Sequence, residues 1–160
     1  FCLSYTTFWR FFVMKLSIDD ILSEWQADSA INETQISIEL SRTPILHSKY
    51  LEAYLSAKRK LISATSSYNN LKFLRKKYFR GEMTREELLD RGWEQYQGLK
   101  MSQTEFNQMS DIDPVLNEEW VKVEYWKSLV EGITYIMKEI QNRGYTIKTM
   151  VEYNKLLMGG

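Results

Sequence analysis

Residues 45–80 contain neither glycine nor proline, and this uninterrupted stretch is the strongest constraint on how the chain can fold. Thr43 can cap a helix and Pro44 suits its first turn, so we predict a helix from Pro44 to about Phe79. Its length would be on the order of 50 Å at 1.5 Å per residue, so it requires a partner helix to cover one face. A row of residues spaced alternately by four and three matches a coiled-coil seam: Tyr50, Tyr54, Ala57, Leu61, Ala64, Tyr68, Leu71, Arg75 and Tyr78.

Shorter signals indicate structure on either side of this stretch. Ser17 and Asp20 predict the start of a short amphipathic helix. The alternation of polar and apolar residues in 35–40 is typical of a strand, but the stretch is short enough to form a helical turn instead. A capping box beginning at Thr84 predicts a helix over residues 85–97.

The second half of the chain contains another long helical pattern. Ser102 opens a second capping box and a short turn, and Pro114 starts a helix that Gly144 is predicted to end. Thr146 then caps a final short helix. The long helix has an apolar face broader than one helix pair can cover, and we predict that it mediates oligomerisation through Trp120, Trp126, Val130, Ile133, Met137 and Ile140.

These elements predict an all-α, elongated protein. Two long helices form an antiparallel hairpin or coiled coil, with short flanking helices and a C-terminal oligomerisation region. We divide the chain into three segments. Residues 1–13 precede Met14, which resembles a natural start, and are expected to be a non-native or disordered extension. Residues 14–81 form an N-terminal helical region, and residues 82–160 form the C-terminal region for oligomerisation.

Composition excludes most catalytic and cofactor chemistry. With one Cys and one His, the chain cannot build a His/Cys zinc site, an iron–sulfur cluster or a disulfide. Phosphate-cradling loops and nucleophile motifs are absent from the sequence, and acids such as Asp111 and Asp113 fit a role in helix capping. No stretch approaches the roughly 20 apolar residues of a membrane span, so we expect an intracellular protein. We predict no enzyme activity, no catalytic residue, no metal and no cofactor.

Charge is strongly segregated although the formal net charge is zero. Residues 49–80, called here the basic arm, carry nine cations and only one acid, Glu52, for a formal charge of +8. The preceding part has a formal charge of −3 and the following part −5. Such a chain can bind a polyanion through the basic arm, or dock the arm on acidic surfaces of neighbouring subunits.

Cations and aromatic residues interleave within the basic arm. On a helical projection, five cations fall within about 140° of one another at 100° per residue: Lys58, Lys72, Arg75, Lys76 and Arg80. Aromatic faces such as those of Phe73 and Phe79 can stack on unpaired bases while cations follow the backbone. Nothing matches a motif that reads duplex base edges, so we expect binding to be largely independent of sequence.

Several strings along the chain carry a family resemblance: Ser48-Lys49-Tyr50-Leu51, Tyr125-Trp126, residues 136–140 and Asn142-Arg143-Gly144-Tyr145-Thr146-Ile147-Lys148. From Met14 onward the chain resembles the UvsY recombination-mediator family of T-even-like phages. The family's DNA-binding box, Leu-Lys-Ala-Arg-Leu ahead of Tyr-Tyr-x-Gly, corresponds to residues 71–81. Aligning on Leu-Lys matches Lys72, whereas aligning on the aromatic pair and Gly81 matches Arg75.

The resemblance implies a mediator that binds single-stranded DNA and loads the phage recombinase onto strands covered by the phage single-strand-binding protein. It also implies a ring-like homo-oligomer in the cytoplasm of the infected bacterial host. Together with the charge pattern, it assigns phosphate binding to the cations and stacking to the aromatic residues: Lys58, Lys72, Arg75, Lys76, Lys77, Arg80, Phe73 and Phe79. The alternative is a non-enzymatic coiled-coil scaffold whose basic arm docks on neighbouring subunits.

Overall fold

The computed structural model describes residues 17–159, and the predicted extension at residues 1–13 lies outside them. The described chain contains no strand, and its helices are α1 (Ile18–Ser29), α2 (Ile36–Phe79), α3 (Arg85–Arg91), α4 (Gln103–Ser110) and α5 (Pro114–Leu157). The prediction of an all-α fold with a pair of long helices and short additional helices is confirmed.

The predicted helix caps are present in the structure. The Ser17 hydroxyl accepts the Asp20 N–H at 3.1 Å and starts α1. Thr84 and Ser102 each form a complete capping box, in which a glutamate three residues later accepts the N–H of the capping residue. Asp113 accepts the Val115 N–H at 3.0 Å, so its carboxylate caps α5. These local signals set the helix starts because each satisfies backbone donors that the helix leaves unpaired.

The start of α2 differs from the prediction. For residues 35–40 the strand reading is wrong and the helical alternative is correct, because Ile36 already begins the helix. Pro44 therefore lies inside α2 and not at its first turn. A proline there deprives the Leu40 carbonyl of its helical donor. Leu40 is half exposed, so solvent can supply the missing hydrogen bond.

Two glycines act differently from their predicted roles. Helix α3 ends at Gly92, which adopts a left-handed φ of 65°, and not at Gly98. Helix α5 continues through Gly144 to Leu157, so the predicted stop and the separate final helix are wrong. Arg143 and Ile147 on either side of Gly144 are both buried, and this packing stabilises the helix through the glycine.

The chain folds into two compact units, and both α2 and α5 contribute to each. The first unit comprises residues 17–56 and the chain from Leu129 onward. Its core contains Tyr50, whose ring meets the edge of Trp25 with 5.6 Å between centroids. Aliphatic side chains fill the rest of this core, including Ile21, Leu46, Leu129, Val130, Ile133, Ile136, Ile140 and Ile147.

The first unit also buries an arginine. The Arg143 guanidinium donates to the carbonyl oxygens of Ser29 and Ala30 at 2.9 and 3.0 Å and pairs with the carboxylate of Glu39. Glu39 in turn accepts the Asn32 N–H at 3.3 Å. Arg143 therefore satisfies the carbonyl groups that the end of α1 leaves without helical donors.

The second unit comprises Ala57–Ser128. Within it α2 and α5 run antiparallel, because Tyr68 meets Trp120 while the later Arg75 meets the earlier Asp113. Its core includes a cluster of aromatic rings with centroid separations of 5.3 to 6.3 Å. The members of this aromatic cluster are Tyr78, Phe79, Trp93, Tyr96 and Phe106.

Candidate nucleic-acid interface

The part of α2 that lies in the second unit carries a dense positive charge. No acid occurs between Glu52 and Glu82, whereas eight cations do. Lys49, the first cation of the basic arm, is different, because it lies in the first unit and its Nζ is 2.7 Å from both Glu24 and Asp28. Burial lowers the pKa of Lys49, but the hydrogen bonds to these two carboxylates outweigh it and raise the pKa above 10.5.

In the second unit every cation of the basic arm except Arg75 reaches solvent, and the five of these that were predicted to bind phosphate are called here the cation surface: Lys58, Lys72, Lys76, Lys77 and Arg80. Lys58 and Lys77 are about 28 Å apart along the helix at 1.5 Å per residue. Among residues 17–159, no carboxylate lies within 4.0 Å of the amino group of Lys72 or Lys76. Lys72 and Lys76 therefore present positively charged amino groups on α2 without a neighbouring carboxylate.

Two members of the cation surface have acidic partners. Lys77 contacts Glu87 of α3 at 2.7 Å, and Arg80 contacts Glu82 at 2.9 Å. Hydrogen bonds from Lys77 and from the Thr84 N–H hold the pKa of Glu87 below its usual value, against the opposing effect of burial. Both pairs are partly exposed, so they contribute little to stability and a phosphate can compete for the cations.

Arg75 lies inside the second unit. Its Nε donates to Asp113 at 2.6 Å, and its guanidinium carbon is 4.6 Å from the Phe79 ring centroid. The rings of Tyr78 and Trp93 also lie close, at 5.1 and 5.2 Å. The Arg75 side chain is 13% exposed and the Asp113 side chain is fully buried. A phosphate could reach this guanidinium only if the cation left the aromatic cluster, so the structure gives Arg75 a packing contact, and its phosphate binding stays a prediction that this burial does not favour.

The two candidate stacking residues have opposite environments. Phe79 is 5% exposed within the aromatic cluster, which leaves no ring face for a base. Phe73 is 61% exposed on α2 between Lys72 and Lys76 in sequence. Phe73 is therefore the aromatic side chain of this segment that can stack on an unpaired base without unfolding the unit.

Trp93 and Tyr96 were missed by the sequence reasoning. They follow Gly92 in a segment that was predicted to continue the helix, but they fold back onto Tyr78. A usable signal was present, since Gly92 and Gly98 bracket the two aromatic residues. Arg75 had a comparable signal, because it occupies a position of the predicted coiled-coil seam, where side chains face a partner helix and not solvent.

The residues predicted to mediate oligomerisation fall into two groups. Val130, Ile133 and Ile140 are buried within the first unit, and Ile133 and Ile140 have no exposed surface. Trp126 and Met137 are partly exposed. Trp120 is 43% exposed and contacts Tyr68 with 5.2 Å between ring centroids. The buried members need their side chains for the fold of the single chain.

Over residues 17–159, no group of three or more His, Cys, Asp or Glu side chains is arranged to hold a metal ion. No helix in this range combines the length and hydropathy needed to span a membrane.

Comparison with known proteins identifies the family. The family model described as "Recombination, repair and ssDNA binding protein UvsY" matches residues 24–160. The chain belongs to the UvsY family. UvsY proteins are recombination mediators that bind single-stranded DNA, and the charge distribution on α2 is consistent with that membership. No curated protein is similar enough in sequence to be matched.

Solved structures of the bacteriophage T4 recombination mediator protein UvsY have the same fold as this UvsY-family chain. One crystal form superposes with a TM-score of 0.72 at 19% identity, covering 87% of this chain and 97% of the T4 chain. A second gives 0.72 at 18% identity, with 89% and 98% coverage. A third gives 0.70 at 18% identity, with 86% and 98% coverage.

Proposed function

We propose that this UvsY-family chain is a recombination mediator that binds single-stranded DNA through the cation surface of α2, without sequence preference. The observation that carries the proposal is the acid-free part of α2, where Lys72 and Lys76 reach solvent unneutralised beside the exposed Phe73. Lysine amino groups on flexible side chains contact backbone phosphates irrespective of base identity. One aromatic ring adds stacking, which every base can provide.

We further propose that the bound strand is handed to the phage recombinase while the phage single-strand-binding protein is displaced. An open helix face contacts a strand from one side and leaves its other side accessible to a second protein. A strand that is held mainly by phosphate contacts also transfers readily to a competing cationic surface. This reaction would take place in the cytoplasm of the infected host.

Assembly into a homo-oligomer, with a ring as the expected form, is part of the same proposal. The end of α5 exposes Tyr145, Tyr153 and Leu156 at 76, 61 and 76%. A shallow depression there is lined mostly by apolar surface from Tyr145, Thr146, Thr149, Met150 and Tyr153. Large exposed apolar side chains are typical of interaction surfaces, so this end of α5, with Trp126 and Met137, is favoured over the buried residues. Several linked cation surfaces would then act on one strand at high effective concentration.

The test of the proposed function is charge reversal on the cation surface with a matched control. Lys72→Glu combined with Lys76→Glu is expected to weaken binding of an oligothymidylate at least about tenfold. The control, Lys122→Glu with Lys127→Glu, makes the same charge change at exposed positions of α5 in the same unit. Equal losses in the two double variants would mean that net charge, and not the cation surface, determines binding.

The scaffold alternative is supported by one observation, the acidic partners that Lys77 and Arg80 already have. If the basic arm docks on neighbouring subunits, reversal at Lys72 and Lys76 should dissociate the oligomer. Mass measurement of the variant, together with filter binding at low salt, separates the two functions. Retained assembly with lost DNA binding supports the mediator, whereas a dissociated protein whose parent never retained DNA supports the scaffold.

A further inference from the structure

A pocket of about 450 Å³ lies in the second unit beside the end of α2. Its volume is in the range of small-molecule sites. Its walls come from the segment that follows α3, from α4 and from the turn before α5, and they are formed by Tyr96, Leu99, Lys100, Met101, Glu105, Gln108, Met109 and Ile112. Leu99 and Ile112 are exposed to 91 and 70%, so apolar surface faces solvent at this position.

The pocket is continuous with the basic end of α2. The Met101 N–H donates to the Phe79 carbonyl at 3.2 Å, which fixes one wall to the last residue of the helix. Lys100 lies next to Gly81, since a Cβ on that glycine would be 3.7 Å from its Cε. Tyr96 connects the pocket to the aromatic cluster through Tyr78 and Phe79. A strand that follows the cation surface to Arg80 therefore arrives beside this pocket.

The polar groups of the pocket favour a neutral ligand. The N–H and hydroxyl of Ser102 hold the pKa of Glu105 below its usual value, so its carboxylate is negative at neutral pH. A carboxylate repels phosphate but accepts hydrogen bonds, and the Gln108 amide can donate and accept. Lys100 contributes the positive charge that a phosphate requires. This separation of charge suits a nucleotide whose base enters the pocket and whose phosphate stays at Lys100.

We propose that this pocket holds one unpaired nucleobase of the strand bound along the cation surface. The inference rests on the proposed single-stranded DNA binding and deepens it, because it adds a base-binding pocket to the phosphate contacts of the cation surface and the stacking on Phe73. A flat, largely apolar base with polar edges fits a pocket that combines Tyr96 and two methionines with the Glu105 and Gln108 side chains.

The test compares an oligothymidylate with a fully abasic strand of the same length. Both strands carry the same phosphates, so the ratio of their affinities reports base contacts alone. For the unaltered protein we expect the intact strand to bind at least about 25-fold more tightly, since stacking on Phe73 and base binding in the pocket are each worth at least about fivefold. Ile112→Asp, which places a charge in the pocket wall, should reduce this ratio by about fivefold.

The matched control is Val121→Asp, which makes the same charge change at a residue that is 65% exposed in the same unit and is not part of the pocket lining. This variant should keep the ratio of the unaltered protein. A second readout is a strand containing 2-aminopurine, whose fluorescence should be quenched by the unaltered protein and by V121D, but not by I112D.

The outcomes separate the pocket from the underlying function. If both strands bind with equal affinity, or if I112D and V121D behave alike, the cation surface binds DNA and the pocket holds no base. If neither strand binds, the proposed DNA binding fails and the pocket proposal with it. Circular dichroism of the two variants should match that of the parent, because both substituted side chains are exposed.

Discussion

Each of the two units buries an arginine against a carboxylate, but different groups surround the guanidinium in each unit. In the first unit, Arg143 meets Glu39 and the carbonyl oxygens at the end of α1. In the second unit, Arg75 meets Asp113 and three aromatic rings. Polar backbone groups surround one guanidinium, and ring faces surround the other.

This difference determines what could replace each cation. Carbonyl groups at a helix end need hydrogen-bond donors, so an apolar side chain cannot substitute for Arg143. Ring faces accept an apolar side chain as readily as a guanidinium, so Arg75 could be replaced if the charge on Asp113 were removed as well. The same comparison shows that a cation within a basic run is not necessarily a surface cation.

The largest effect is expected for Arg143→Met. The substitution leaves the Glu39 carboxylate and the Ser29 and Ala30 carbonyl groups without their donor inside the first unit. We expect the free energy of unfolding to fall by about 3–5 kcal/mol, measured by urea denaturation. Adding Glu39→Gln should recover little of this loss, because the carbonyl groups remain unpaired. Full recovery in the double variant would contradict the distinction between the units.

A smaller effect is expected for Arg75→Met, about 2–4 kcal/mol, because a single buried carboxylate loses its partner. Asp113→Asn added to this variant should restore stability to within about 1 kcal/mol, since the amide oxygen still caps α5 and the methionine packs on the rings. The double-mutant cycle measures this coupling. Additive losses would show that the aromatic cluster requires the cation.

Acid should destabilise the first unit through Asp28 and Glu39. Burial raises both pKa values, but hydrogen bonds outweigh it, from Lys49 and Tyr50 to Asp28 and from Arg143 to Glu39. Both pKa values therefore lie below their ordinary 3.8 and 4.5. The stabilisation is complete above these ordinary values and is lost as the pH falls through the lowered ones. Unfolding free energies measured from pH 6 to about 3 should decline, and Asp28→Asn should flatten the decline.

The smallest effect is expected for Lys77→Ala. Its ion pair with Glu87 is partly exposed, so the free energy of unfolding should change by less than about 1 kcal/mol. Affinity for an oligothymidylate should fall more clearly, because a phosphate contact disappears. An unfolding experiment and a binding titration on the same preparation check both statements. A large loss of stability would place Lys77 with the buried arginines and not with the cation surface.

Local sequence signals predicted much of the fold. Ser17, Thr84 and Ser102 marked helix starts correctly, because a cap is a contact between residues three apart. The end of α2 near Phe79 was also predicted correctly, because Gly81 follows it and adopts a left-handed φ of 66°. The predictions from Pro44 and Gly144 were wrong. Pro44 favours the first turn of a helix and Gly144 favours a stop, but packing of the surrounding helix overrides both local preferences.

The candidate site was less predictable. Periodicity identified the basic face of α2, but it could not show that Arg75 meets Asp113, 38 positions later in the chain. It also could not show that Phe79 is enclosed by rings from two later segments while Phe73 is exposed. Such distinctions depend on contacts between distant parts of the chain, which a single helical pattern does not contain.

The central claim is that exposed lysines, and not the buried Arg75, hold the phosphates of a single strand. The salt dependence of oligothymidylate affinity tests it most directly. Each phosphate contact contributes about −0.7 to the slope of log affinity against log salt, so Lys72→Ala with Lys76→Ala should make the slope about 1.4 shallower. The double variant Arg75→Met with Asp113→Asn, which is expected to be stable, should leave this slope unaltered. A slope that is unchanged by the lysine substitutions but shallower without Arg75 would contradict the account.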